Sequence, residues 1–127
     1  MRLLDTDVLI CHLRGKQVAH DWLVEARIAD KLCASVVTVV ELIGGMRSAE
    51  KAQVLRLVSS LRILPVTEVV ARRAGEFMRI YRASHQGVST ADYMIAATAD
   101  IEGAYLATLN VKHYPMFADL RPAFKLD

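Results

Sequence analysis

The sequence predicts an α/β fold in which a short, mainly parallel sheet carries helices on both faces. Three observations lead there. Short apolar runs of strand length alternate with amphipathic runs of helical length, a pattern that implies right-handed βαβ crossovers. A chain of 127 residues that is 54% apolar can bury a core without relying on disulfides or structural zinc. No internal repeat, low-complexity tract or linker divides it, so 1–127 reads as one domain.

Leu3-Leu4 ends a short buried strand, and Thr6 and Asp7 then supply N-cap chemistry for a helix that runs to about Leu13 and stops at Gly15. From Val18 to Ala29, Trp22, Leu23, Ala26 and Ile28 carry helical spacing, and Leu32-Cys33-Ala34 is a second strand. Thr38 to Ile43 is predicted helical despite its valines, with Ser35 and Thr38 as caps and Gly44-Gly45 as a stop. Another helix, from about Ala49 to Leu61, precedes a strand over 62–66. A long helix from Glu68 to about Ser84 follows, then an alanine-rich one from Thr90 to Ile101 ended by Gly103, then a strand at Tyr105-Leu106-Ala107.

Composition excludes several functions. Lys and Arg number 16 against 14 Asp and Glu, so the formal charge of +2 is too small for a binder that coats its whole surface with nucleic acid. Aromatic residues make up only 6%, which argues against a platform that stacks bases on exposed rings. Cys11 and Cys33 lack metal-ligand spacing and read as small buried apolar residues. Met1 to Leu4 runs straight into acids, and no later stretch is apolar enough to span a bilayer, so a cytoplasmic protein with no membrane partner is expected.

In parallel sheets ligands gather at the carboxyl ends of the strands, which singles out Asp5, placed after a strand and at a helix start. Asp7 is its rival at the same turn, and capping is the simpler reading for either. Glu41 lies in the apolar run Val36 to Ile43, where an unpaired charge is costly, so a cation or basic partner is expected unless it sits on a solvated face. Asp92 opens a stripe continued by Ile95, Ala96 and Ala99, and the small alanines would let that helix approach the sheet closely. Stabilisation of the first helical turn is the alternative for Asp92. Three converging acids need a cation, oxygen ligands suit Mg²⁺ or Mn²⁺, and such an ion suits phosphodiester hydrolysis.

Four ordered segments carry a family resemblance: Asp5-Thr6-Asp7-Val8-Leu9-Ile10; Val39-Val40-Glu41-Leu42 with Gly44; Ala91 to Ala99; and Leu106 to Tyr114. Together they resemble PIN-domain ribonucleases, most closely the VapC toxins of toxin-antitoxin pairs. The resemblance implies a PIN-like three-layer α/β/α sandwich. It further implies an acidic set of Asp5, Glu41 and Asp92 as catalytic and metal residues, with Asp5 and Asp92 as direct Mg²⁺ ligands and Mn²⁺ as a substitute. Thr6 would orient the first carboxylate through its hydroxyl or backbone, and Thr108 would play a similar part. Asn110 stands where the family often has a fourth acid, so it offers a ligand without charge. His113 beside it contacts phosphate or is structural.

Arg14, Lys16, Arg47 and Lys112 flank these segments and offer a rim for an RNA backbone, with plain solvated surface as the alternative. The activity implied is metal-dependent endonucleolytic cleavage of RNA. The partners implied are an RNA substrate, a cognate antitoxin and a second copy of the chain, with larger toxin-antitoxin assemblies. Two other classes fit part of the pattern. Asp5-Thr6-Asp7-Val8 matches the opening of HAD-type phosphatases, although their downstream metal motif is missing. Asn110 leaves room for a PIN-like interaction module that binds without cutting.

Overall fold

The computed structural model describes residues 1–126. Among these, four strands form a parallel sheet: β1 (Arg2–Leu4), β2 (Leu32–Ser35), β3 (Arg62–Leu64) and β4 (Tyr105–Ala107), in the order β3-β2-β1-β4. The six helices are α1 (Thr6–Leu13), α2 (Gln17–Ala29), α3 (Val36–Gly45), α4 (Lys51–Ser59), α5 (Glu68–Tyr81) and α6 (Thr90–Glu102). Short 3₁₀ turns occupy Ser48–Glu50 and Val111–His113. None of these helices is long and apolar enough to cross a membrane.

Alternation along each strand divides the core into two. Leu3, Cys33 and Leu106 face one side, where they pack with Tyr93, Ile95 and Phe77 of α5 and α6. Their neighbours Leu4, Ala34 and Ala107 face the other, with Leu9, Leu23, Leu42 and Val54 of α1 to α4. Successive strand residues point to opposite faces, so a strand apolar at every position requires helices on both sides. The three-layer sandwich follows directly. Register pairs Leu3 with Cys33 on one flank and with Leu106 on the other, which brings the chain's beginning against β4.

Several boundaries differ from expectation. α3 begins at Val36, because Ser35 accepts from the Val37 amide at 3.0 Å, and Thr38 is a buried interior residue rather than a cap. Gly44 and Gly45 complete that helix instead of stopping it, and neither takes positive φ. Arg47 N–H donates to Glu50 Oε1 at 2.8 Å, folding Ser48–Glu50 into a separate turn and moving the start of α4 to Lys51. β3 ends at Leu64, before Pro65 with its missing amide hydrogen. Ile28 is 83% exposed, so the buried stripe of α2 is Ala19, Leu23 and Ala26. Cys33 is buried as expected, whereas Cys11 is only partly so.

Gly103 closes α6 in the left-handed region, with φ 64° and ψ 28°, and its amide reaches back to Ala99 and Asp100. A Cβ there would touch nothing, so any cost of adding one comes from the backbone alone. Gly103→Ala is expected to cost about 1 kcal/mol, read as a lower denaturation midpoint with unchanged slope.

Candidate active site

Parallel strands place all their carboxyl ends on one edge, and β1, β2 and β4 deliver Asp5, Ser35 and Thr108 there. Asp5 is the N-cap of α1, its Oδ1 accepting from the Thr6 amide at 2.8 Å. Its Oδ2 accepts from the Thr108 hydroxyl at 2.7 Å and from the Tyr114 hydroxyl at 2.8 Å. Capping therefore describes one oxygen, and the other is held from the far end of the chain. Only 6% of the residue is exposed.

Asp7 faces the same corner. Its Oδ2 accepts from the Leu109 amide at 3.0 Å and lies 3.3 Å from the Thr108 hydroxyl, while its buried Oδ1 finds no donor among the described residues. Burial pushes the Asp5 carboxyl up to about 6, the negative charge of Asp7 adds to this, and the bonds from Thr108, Tyr114 and Thr6 oppose it. Burial likewise raises Asp7. Tyr114 is shifted well above the ordinary phenol range by burial and then by the charges of Asp5, Asp92 and Asp7.

Glu41 approaches from α3. Thr6 Oγ1 lies 2.7 Å from Glu41 Oε1 and 3.0 Å from the buried Thr38 Oγ1. A hydroxyl has one proton to give, so Thr6 donates to the carboxylate and accepts from Thr38. The Thr6 hydroxyl thus holds Glu41, and only its backbone amide reaches Asp5. Glu41 is exposed at the rim, not sunk in an apolar interior, so its charge needs no buried counterion.

Asp92 sits in the first turn of α6 in a reciprocal cap. Ser89 Oγ accepts from the Asp92 amide at 3.1 Å, and Asp92 Oδ2 accepts from the Ser89 amide at 3.0 Å. His113 Nδ1 stands 3.2 Å from the same Oδ2, and the Asn110 amide nitrogen lies 3.1 Å from His113 Nε2. The Asn110 nitrogen is also 3.2 Å from His113 Nδ1, so it lies against the ring that contacts Asp92. Arg14 and Arg47 line one cleft with Glu41, of about 140 Å³, over an apolar floor that includes Leu42 and Met46. Lys16 and Lys112 are exposed outside that cleft.

Tyr114, Thr38 and the Asp7 contact to Leu109 escaped sequence reasoning. Thr38 had a usable signal, since it lies one helical turn before Glu41 and so shares its face. Among the described residues no three His, Cys, Asp or Glu side chains form a ready-made metal cluster. The acids nonetheless suit a hard cation: their donors are carboxylate oxygens that concentrate negative charge, and the neighbouring Asp7 keeps one buried carboxylate oxygen without a donor among the described residues. Mg²⁺ retains several of its own waters and is commonly held by one or two carboxylates, so a full protein cage is unnecessary.

The PIN-domain family model matches residues 2–115. Ribonuclease VapC10 of Mycobacterium tuberculosis is 58% identical over 124 residues, spanning 98% of this chain and 93% of that protein. Ribonuclease VapC19 of the same species is 41% identical over 125 residues, spanning 98% and 100%. A chain of a toxin-antitoxin complex from Klebsiella pneumoniae shares the fold, with TM-score 0.83 and 20% identity, covering 99% of this chain and all of that one. These matches leave no place for the phosphatase alternative. With strand-end acids on a parallel sheet, a family match over most of its length and two relatives above 40% identity, the chain belongs to the PIN-domain family.

Proposed function

We propose that this protein is a Mg²⁺-dependent endoribonuclease, the toxic member of a toxin-antitoxin pair, with Asp5, Glu41 and Asp92 as its acidic residues. The observation that carries the reading is the Asp5 carboxylate, buried beside a second acid and gripped by three donors at the sheet edge. Relatives named as ribonucleases support the activity, and neighbours described as toxin-antitoxin complexes support an antitoxin partner and assembly with further copies.

Asp5 and Asp92 would hold the ion, which supplies an activated water and neutralises charge on the phosphoryl oxygens when bound. Thr108, Tyr114 and the Thr6 amide fix the Asp5 carboxylate, and the Thr6 hydroxyl aims Glu41 across the crevice as acceptor for a water proton. The Ser89 cap fixes Asp92. Asn110 contributes an amide without charge. Arg14 and Arg47 neutralise the RNA backbone along the cleft, and Lys16 and Lys112 extend that rim.

Cleavage of a labelled RNA pool with Mg²⁺ or Mn²⁺ tests the assignment, against EDTA. Cutting that persists in EDTA would sink it. Proton and cation compete for Asp5, so Mn²⁺ affinity should fall as pH drops below about 6. Calorimetric titration at pH 5 and pH 7.5 checks this.

A further inference from the structure

Asp5 offers a single oxygen position to anything entering the crevice. An ionised carboxylate has about two acceptor positions on each oxygen. Both positions of Oδ2 are filled, by the Thr108 hydroxyl at 2.7 Å and the Tyr114 hydroxyl at 2.8 Å. Oδ1 takes one bond, from the Thr6 amide at 2.8 Å, and keeps one position open. Tyr114 is only 1% exposed, so packing prevents its hydroxyl from swinging away.

We propose that the Thr108 and Tyr114 hydroxyls make Asp5 a one-oxygen ligand and thereby discriminate Mg²⁺ from Ca²⁺, with Tyr114 as a positioning residue. The inference rests on Asp5 being a cation ligand. Ca²⁺ takes about six to eight oxygens and often both oxygens of one carboxylate, whereas Mg²⁺ demands a tight octahedron completed by water. Two-oxygen binding at Asp5 would either strip the buried Tyr114 hydroxyl of its acceptor or force the Thr108 hydroxyl onto the longer 3.3 Å contact with Asp7 Oδ2, and an unpaired or weakly paired buried donor is costly. Single-oxygen binding disturbs neither hydroxyl. The clamp therefore penalises the larger ion and leaves the smaller one untouched.

Tyr114→Phe removes one oxygen atom and keeps the ring. Mg²⁺ and Ca²⁺ are titrated separately into the parent and the variant by calorimetry, with near-ultraviolet circular dichroism to verify packing. The ratio of Ca²⁺ to Mg²⁺ affinity is expected to rise about tenfold, the lower end of what a partner of a ligating group is worth. Thr108→Val frees the other half of the clamp and is expected to shift the ratio the same way. An unchanged ratio, or both affinities falling in proportion as a packing role requires, would overturn the proposal. A parent that binds neither ion overturns the reading of Asp5 as a ligand and this inference with it.

Discussion

Asp5→Asn is expected to gain stability relative to the metal-free parent as pH rises from 4 to 8, while cutting RNA cleavage by about 10²–10³-fold, the scale of losing one electrostatic contact to a transition state. The stability gain follows from the sign of the shift. The folded carboxyl titrates near 6 against 3.8 for an ordinary aspartate, so folding favours the protonated form. That contribution is complete below about 3.8 and is lost as pH rises through about 6. Above that range the folded state carries a buried charge at a cost of up to about 3 kcal/mol.

Asparagine removes the charge, and its Oδ1 still accepts from the Thr6 amide. Its two amide hydrogens donate to the Thr108 and Tyr114 oxygens, which turns the Thr108 proton to Asp7 Oδ2 at 3.3 Å and strips the Tyr114 proton of its acceptor, a cost that does not depend on pH over this range. Urea denaturation in EDTA at pH 4 and pH 8 measures the effect. The advantage of the variant over the parent should grow with pH. A difference between variant and parent that stays the same at both pH values would show that the charge is compensated.

Asp92→Asn is expected to abolish cleavage to a similar extent while changing stability by less than about 1 kcal/mol, because an asparagine oxygen still accepts from the Ser89 amide. Ser89→Ala is the complementary change. It removes the acceptor for the Asp92 amide and should cost about 1 kcal/mol of stability, with a much smaller loss of cleavage. Comparing the two separates the carboxylate's charge from its part in the cap. Equal losses of cleavage in both variants would assign Asp92 to helix capping alone.

The strand-end acids were legible because a strand, an acid and a helix start in immediate succession form a local pattern, and a parallel sheet puts such patterns on one edge. Glu41 was legible as a site candidate but not in its surroundings. The run Val36 to Ile43 looks buried by composition, yet Val40 is 69% exposed, since a helix packed against the sheet on one side cannot bury every face. Ile28 was misplaced for the same reason. Gly44-Gly45 resembled a stop because glycine is free to leave the helix, and nothing in sequence says when it stays. Tyr114 left no local trace: its bond to Asp5 spans 109 residues and exists only once β4 lies beside β1.

That span has a consequence on the ribosome. The Asp5 carboxylate is made almost at once, but its two hydroxyl donors belong to positions 108 and 114, and the strand that delivers them pairs with β1 last. At about 5–20 residues per second, several seconds of synthesis separate the first acid from its grip. The nascent chain therefore carries the Asp5 carboxylate before either hydroxyl that holds its Oδ2 exists, and a product truncated before Tyr114 never gains the second of them.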